Sequence, residues 1–310
     1  MPALIPPRAT RLPRRRAALG LGLAALALTA ACGNSTTKAS STTPAAGAPS
    51  GTLRISGSTT VNPVAADAAD ALRTSKLMIT VDTQGGSAGG ISQLGQGQID
   101  IAMSSKPVGD ADKAMYPKVA FASTQIGEDA VGIVVRKEVA AGGFTAITRA
   151  QLTMLFEGKV TNWKQLGGPD LKTFVYDKEP GRGTREVLDK FLYGKTGKAP
   201  APPTDNPRYA VVGGNEETRT KLESTPGSVA PLSTGFVLGH PQLVALTVDG
   251  VAPTNANIAN KTYPLARPLF LVTNGPATGA AKAFIDYVLS PPGQALVTKH
   301  DYLTLAQLTG

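Results

Sequence analysis

Four short stretches carry residue types suited to holding an anion. Ser58-Thr59-Thr60 lies between a strand-like apolar run and a helical pattern with Pro63 near its first turn. Gly85-Gly86-Ser87-Ala88-Gly89-Gly90 joins a second strand pattern to a second helix pattern. Ser104-Ser105-Lys106-Pro107 follows a third strand pattern, and Gly181-Arg182-Gly183-Thr184-Arg185 again precedes a helix. Glycines allow close backbone approach, hydroxyls donate hydrogen bonds, and helix N-termini carry partial positive charge. Several such loops on one cavity would make an oxyanion site. Each loop alone is also ordinary capping and turn chemistry. The glycine-rich loop at 85–90 lacks the Lys-Ser/Thr ending of a P-loop. No Gly-x-Gly-x-x-Gly opens a βαβ unit, so the dinucleotide fingerprint is absent.

The elements that must position these loops alternate along the chain. Strands are predicted at Leu53–Ser56, Met78–Thr83, Asp100–Met103, Ala130–Arg136, Thr173–Tyr176, Gly235–Leu238, Leu243–Val248 and Leu269–Thr273. Helices are predicted at Pro63–Thr74, Gly89–Gln96, Arg149–Phe156, Arg185–Leu192, Asn215–Ser224, Thr278–Leu289 and Gly293–Thr298. This alternation argues for α/β lobes with largely parallel sheets. The Pro-rich stretch Ala199–Pro207 reads as an exposed loop.

Composition narrows the function. The chain has 310 residues, 31 Lys+Arg, 22 Asp+Glu, two His, one Cys and one Trp, with a formal net charge of +9. Five arginines (Arg8, Arg11, Arg14, Arg15, Arg16) fall within residues 1–31, which hold no acid. The rest carries 26 Lys+Arg against 22 Asp+Glu, a balance of +4. No basic stripe remains to bind a nucleic acid. One Cys excludes an internal disulfide framework and a cysteine metal cluster. His240 and His300 leave little for a histidine metal site or a Ser-His-Asp triad, and both read as surface or capping residues. Glu128-Asp129 and Glu216-Glu217 read as solvated charges near element starts, and no paired carboxylates suggest acid–base work. Trp163 reads as a packing anchor. No metal and no cofactor is expected. At 42% hydrophobic residues the chain can bury a real core.

The N-terminus reads as an address. Arg14-Arg15-Arg16 precedes an apolar run, Ala17–Ala31, that is followed by Cys32. A spanning helix needs about 20 apolar residues, and this run is shorter. A charged start, a short apolar core and small residues at its end describe an export signal. The consecutive arginines also suit a twin-arginine route. Leu28-Thr29-Ala30-Ala31-Cys32 resembles a bacterial lipobox, with Thr29 where the usual Leu stands three before the Cys. The expected division is a signal at 1–31, lipidation at Cys32, and a flexible tether over 32–51. The tether is rich in Ser, Thr, Ala, Gly and Pro and cannot bury a core. A lipidated Cys32 would tether the body without spanning the membrane.

Taken together, the loops resemble those of the phosphate-binding, PstS-type substrate-binding proteins of ABC transporters. The carrying stretches are Ser56–Pro63, Gly85–Ile91, Gly97–Pro107, Phe156–Trp163, Glu179–Arg185, Tyr263–Leu269 and Ala283–Pro291. They occur in the family's order across nearly all of residues 52–300. The resemblance implies an α/β type II periplasmic-binding-protein fold, two lobes closing on a ligand cleft around a two-strand hinge. Lobe one would be 52–136 plus 250–310, and lobe two 137–249. Closure of that sort couples binding to a shape change that a transporter can read.

The same resemblance implies a phosphate site. Ser58, Thr59 and Thr60 would offer hydroxyl and N–H groups from the first helix start, Ser87 from the second, and Ser105 from the third loop. Arg182, Gly183 and Thr184 would be the lobe-two contact, with Lys178 or Arg185 adding positive charge. Two departures matter. The lobe-two loop often reads Gly-Ser-Gly-Thr, and here Arg182 replaces the Ser. The better-known branch of the family has an Asp where Ser105 stands; that carboxylate accepts the proton of hydrogen phosphate and repels sulfate, which has none to give.

The expected function is therefore non-enzymatic capture of inorganic phosphate by an exported, lipid-anchored monomer on the outer face of the cytoplasmic membrane. It would hand its ligand to ABC permease subunits. A binding protein for sulfate, molybdate or another oxyanion keeps the fold and changes the ligand. A phosphate sensor or adhesive surface protein without a transporter keeps the ligand. A phosphate-ester hydrolase has only the hydroxyl-rich, basic cleft in its favour, with no metal cluster or histidine beside a nucleophile.

Overall fold

Short apolar runs fold into strands, and helices packed on the sheet faces separate most of them. A computed structural model describes residues 50–309 apart from 75 and 195–197. The export signal, Cys32 and the tether up to residue 49 lie outside the described residues.

The first part of the chain runs β1 (Gly51–Gly57), α1 (Asn62–Leu72), β2 (Leu77–Asp82), α2 (Gly86–Gly95), β3 (Ile101–Ser104) and α3 (Asp110–Met115). β1 lies parallel to both β2 and β3. The 16-residue β4 (Phe121–Arg136) follows. The middle of the chain contains α4 (Lys137–Ala141), β5 (Ala146–Ile147), α5 (Arg149–Phe156), β6 (Phe174–Lys178), α6 (Gly183–Tyr193), β7 (Tyr209–Val212), α7 (Asn215–Ser224) and β8 (Ser228–Ser233). It continues through β9 (Leu243–Ala245), β10 (Thr247–Val248) and α8 (Asn255–Ala259). β11 (Ala266–Asn274), α9 (Gly279–Leu289), α10 (Pro291–Lys299) and α11 (Leu305–Leu308) complete it.

One hydrogen-bonded path runs β2-β1-β3-β11-β4-β8-β6-β7, with β9 also paired to β4. β4 is the element common to both halves. Its residues up to Ala130 pair antiparallel with β11, and Val131–Arg136 pair antiparallel with β8 and β9. Ile126 to Val135 are continuously buried, as a strand covered on both faces requires. The chain returns beside this crossing, where the Val131 N–H donates to the Leu265 carbonyl at 3.0 Å.

Each half of the path has apolar clusters of its own. Leu53, Ile55, Ile101 and Leu271 pack with Val64 and Ala68 of α1 and Phe284 and Val288 of α9. Leu94 of α2 joins Ile99, Ala102 and Val272 in a separate cluster. In the second half, Ile133, Val175 and Val229 pack with Leu152, Leu188 and Trp163. The Trp163 ring is fully buried, lies 5.0 Å from Phe144, and donates its Nε1–H to the Gly227 carbonyl at 2.9 Å. It is a packing anchor.

Two expectations need correction, and two strands were not anticipated. The pairing is mixed rather than largely parallel, because β4 and β11 run antiparallel to their neighbours in the middle of the path. Gly235–Leu238 is not a strand. Thr234–Phe236 forms a 3-10 turn, and the strand is β8, immediately before it. β8 is buried at all six positions, so it shows no alternation, and it contains Pro231. The proline is tolerated because β6 pairs with β8 only as far as Val229, leaving that edge unpaired at residue 231. β7 was also not anticipated.

Candidate functional site

All four loops singled out by residue type end at one small cavity between the two halves. Ser58, Thr59, Thr60, Gly86, Ser87 and Ser105 line one side. Lys178, Arg182, Gly183, Thr184, Gly213 and Asn215 line the other. The cavity is small and lined by polar groups on both sides.

On the first side, local hydrogen bonds aim the hydroxyls. Ser58 Oγ accepts from the N–H groups of Thr60 (3.2 Å) and Val61 (3.4 Å), and donates to Ser105 Oγ at 3.1 Å. Ser87 Oγ accepts from the Ser105 N–H at 3.1 Å and lies 3.3 Å from Ser105 Oγ. Gly85 takes a left-handed φ of 72° at the N-cap of α2, and Gly90 allows that helix to lie on β1. A Cβ at Gly90 would stand 2.7 Å from the Ser56 carbonyl. Both glycines are thus needed to bring Ser87 to the cavity.

Beneath these hydroxyls lies Arg267, which is 1% exposed. Its Nε and Nη2 donate to Asp129 Oδ2 at 3.0 and 2.8 Å. Nη1 reaches Thr184 Oγ1 (2.9 Å) and Ser105 Oγ (3.3 Å), and Nη2 reaches Thr60 Oγ1 (2.9 Å). One guanidinium therefore holds three lining hydroxyls, two from the first side and one from the second. Because Thr60 Oγ1 and Thr184 Oγ1 accept from it, their own protons are free for a ligand, whereas Ser105 Oγ also accepts from Ser58 and lies against Ser87 Oγ. Asp129 Oδ1 also accepts from Thr234 Oγ1 at 3.1 Å. Asp129 is fully buried, which corrects its reading as a solvated charge.

Sequence reasoning did not assign a role to Arg267, although a signal was present. Leu265, Arg267, Leu269 and Leu271 share one face by strand period, and all are buried. A guanidinium on such a face requires a buried partner. Asp129 stands between Gly127, Val131 and Ile133 on the corresponding face of β4 and is that partner.

The second side supplies cations. Lys178 ends β6 and is 1% exposed. Burial, and then the nearby Arg267 and Arg182 charges, bring its ammonium from 10.5 down to about 7. Arg182 caps α6 and lies at the cavity, with Nε and Nη2 donating to Glu179 Oε2 at 3.0 and 2.6 Å. It also crosses to the first side: a Cβ on Gly86 would stand 2.8 Å from Arg182 Cδ. Arg185 is not brought to the cavity. Its guanidinium is taken up by Asp177 (2.5 Å), Asp189 (2.8 Å) and the Lys178 carbonyl (2.9 Å). Burial raises the Asp177 carboxyl, while Arg185 and the Tyr209 hydroxyl pull it back.

Contacts across the cleft close it. The Ala88 N–H donates to the Gly181 carbonyl at 3.1 Å. Lys106 Nζ pairs with Glu186 Oε1 of α6 at 3.0 Å and with Asp112 Oδ2 at 3.4 Å. Asn215 Nδ2 donates to Thr60 Oγ1 at 2.9 Å. Gly183 touches both Ser105 and Ser87; a Cβ there would collide with Ser105 Oγ and stand 2.9 Å from Ser87 Oγ.

The histidines play no part in the cavity. His240 Nδ1 meets Glu223 at 2.7 Å and His300 Nε2 meets Asp67 at 2.8 Å. Among the described residues there is no cluster of three or more His, Cys, Asp or Glu fit for a metal. No helix among them is long and apolar enough to cross a membrane.

Known proteins resemble this chain in sequence and fold. The family model of the PBP superfamily domain matches residues 42–292. The phosphate-binding protein PstS of Bacillus subtilis is 31% identical over 296 residues, covering 91% of each chain. That of Borreliella burgdorferi is 29% identical, covering 81% of this chain and 89% of its own. Among solved structures, a Clostridium perfringens protein with bound phosphate superposes with a TM-score of 0.72 at 28% identity, covering 82% of this chain and all of its own. An ABC-type phosphate transport receptor from Vibrio cholerae gives 0.63 at 29% identity, covering 81% and 99%.

Proposed function

The chain belongs to the PBP superfamily, among its PstS-type phosphate-binding proteins, and from that premise we propose that its cleft captures inorganic phosphate and presents it to an ABC-type importer. The observation that carries this reading is the convergence of hydroxyls and helix N-termini from both halves on one small cavity above a buried guanidinium. The neutral donors match a tetrahedron of oxygens, and the cations set the sign. The helix starts at Ser87 and Gly183 add N–H groups and partial positive charge.

Capture and closure are one process in this reading. The hinge lies where β4 passes between the halves at Ala130–Val131 and where the chain returns at Leu265–Ala266. It separates a lobe of 52–130 with 266–310 from one of 131–265 rather than at the expected boundaries of 136/137 and 249/250, because Val131–Arg136 pair with β8 and β9 and Ile258, Tyr263 and Leu265 pack with the second half. A ligand bridging Ser87 and Ser105 to Gly183 and Thr184 favours the closed form, the shape a permease would read. Ser58, Thr59, Thr60, Ser87, Ser105, Lys178, Arg182, Gly183 and Thr184 are the proposed contacts, with Arg267 as the residue that orients the hydroxyls. Arg185 braces Asp177 behind them. The relatives are binding proteins, and catalytic turnover has no place in this reading.

The route to the site is also part of the proposal. A signal at 1–31 exports the chain, Cys32 takes a lipid, and the Ser/Thr-rich tether lets a monomer work beside its permease at the outer face of the membrane.

Calorimetric titration of the full chain, stripped of ligand by unfolding and refolding, tests the capture. Phosphate is expected to bind one to one and sulfate to fail at the same concentration. Equal binding of both would replace phosphate with a broader oxyanion ligand, and binding of neither would end the reading.

A further inference from the structure

We infer that Arg182 is a specificity-determining residue at the mouth of the cleft. It covers the outermost oxygen of the bound anion, so that the site takes free phosphate and refuses phosphate monoesters. This rests on the phosphate reading above and adds to it the residue that sets the boundary between ligand and solvent.

Burial locates the mouth. Of the residues that line the cavity, only Thr59 and Arg182 reach solvent, and all the others are buried. An anion therefore enters and leaves past these two. They close the opening differently. Thr59 is short and lies against the opposite half: a Cβ on Gly214 would stand 2.9 Å from its Cγ2, and its Oγ1 accepts from the Asn215 N–H at 3.4 Å. Arg182 is long, and its Nε and Nη2 both donate to one oxygen, Oε2 of the half-exposed Glu179.

Two glycines make room for the Arg182 side chain. From the start of α6 it crosses to the first half, where a Cβ on Gly86 would stand 2.8 Å from its Cδ and 3.3 Å from its Nη1. On its own half, a Cβ on Gly213 would stand 3.1 Å from its Nη2. The guanidinium thus fills a gap between one backbone of each half, at the edge of the cavity. Beside it the Gly181 carbonyl accepts from the Ala88 N–H at 3.1 Å, so bringing the halves together is what seats the side chain. Nη1 donates to no group among the described residues, which leaves its hydrogens for a ligand.

These positions bear on which phosphate fits. Inorganic phosphate has an oxygen at all four corners, whereas a monoester carries carbon on one of them. The buried walls offer hydroxyl and N–H donors, so the substituted corner must turn to the mouth. There it meets the Arg182 stem and leaves Nη1 without an oxyanion to hold, a clash and a lost charge-assisted bond together. A serine at 182 could not reach Gly86, and the gap between Gly86 and Gly213 would stand open.

The test is calorimetry of the full chain with inorganic phosphate, methyl phosphate and sulfate in alkaline buffer, where all three are dianions. The native chain should bind methyl phosphate roughly 10- to 200-fold more weakly than phosphate. Arg182→Ser should weaken phosphate about tenfold and bring methyl phosphate to about the same affinity as phosphate, with sulfate as far behind phosphate as before. Arg182→Gln, whose Cδ can occupy the same place over Gly86, should weaken phosphate and still refuse the ester. Methyl phosphate bound as well as phosphate by the native chain, or refused equally by the native chain and Arg182→Ser, overturns the inference and leaves the function standing. Sulfate gaining together with the ester would mark a general loss of selectivity, and admission of the ester by Arg182→Gln would place the exclusion in charge alone; either also overturns it. A native chain that binds no phosphate overturns the function itself.

Discussion

The two sides of the cleft are built differently. The first side presents Ser58, Ser87 and Ser105, neutral hydroxyls locked to one another and to backbone N–H groups, and Thr60, whose hydroxyl is held by Arg267 and Asn215. The second presents Lys178 and Arg182 together with a helix start. Arg267, from a strand of the first half, joins them, holding hydroxyls of both sides while its charge is met by Asp129. Hydroxyls are thus concentrated on one side and cations on the other. Closing the cleft is what makes the site complete.

Breaking the shared guanidinium should have the largest effect. Arg267→Met leaves Asp129 buried and unpaired, and should cost about 3–5 kcal/mol of stability by denaturant unfolding. Adding Asp129→Leu should recover most of the stability but not phosphate binding by calorimetry, separating support of the fold from support of the site. Recovery of both would remove Arg267 from the site.

The charged side should reveal itself through pH. Unfolded Lys178 keeps its proton up to about 10.5, whereas the folded group releases it near 7. Between pH 7 and 9 the unfolded state therefore holds more protons, and ligand-free stability should rise with pH by up to about 1.4 kcal/mol per unit from this group. Lys178→Gln should abolish that contribution when urea unfolding is compared at pH 7, 8 and 9.

Closure is sharpened by a smaller change. Gly183→Ala places a methyl group against Ser105 and Ser87 across the cleft. Overpacking of about 1–3 kcal/mol should fall on the closed form, weakening phosphate binding roughly 5- to 150-fold while the melting temperature of the ligand-free chain stays nearly unchanged. The smallest effect is expected for Glu186→Gln, which removes the partly exposed pair with Lys106. About 0.2–1 kcal/mol of affinity should be lost, and less at high salt.

Much of this was legible in residue types and spacing. Helices at Arg149–Phe156 and Asn215–Ser224 match their expected bounds, the first because Thr148 caps it and the second because acids open it at Glu216 and Glu217 and Lys221 lies in its last turn. α2 begins at Gly86 rather than Gly89, because successive glycines read as loop while positive φ at Gly85 and Gly86 starts the helix. β8 escaped notice because complete burial erases the alternation that marks a half-exposed strand. The hydroxyl loops were visible because glycine and serine at helix starts have a local signature. The Arg267–Asp129 pair joins residues 138 positions apart, and only the antiparallel register of β4 and β11 brings them together. Lys178 and Arg185 were indistinguishable as nearby cations. The acids Asp177 and Asp189 divert one of them, and that depends on packing.

The most direct test of the central claim is diffraction from the full chain crystallised with phosphate. The account predicts phosphate oxygens within hydrogen-bond distance of Thr60, Ser87 and Ser105 on one side and of Gly183 and Thr184 on the other, with Arg267 still paired to Asp129. Phosphate bound on one side alone, or away from these residues, would contradict it.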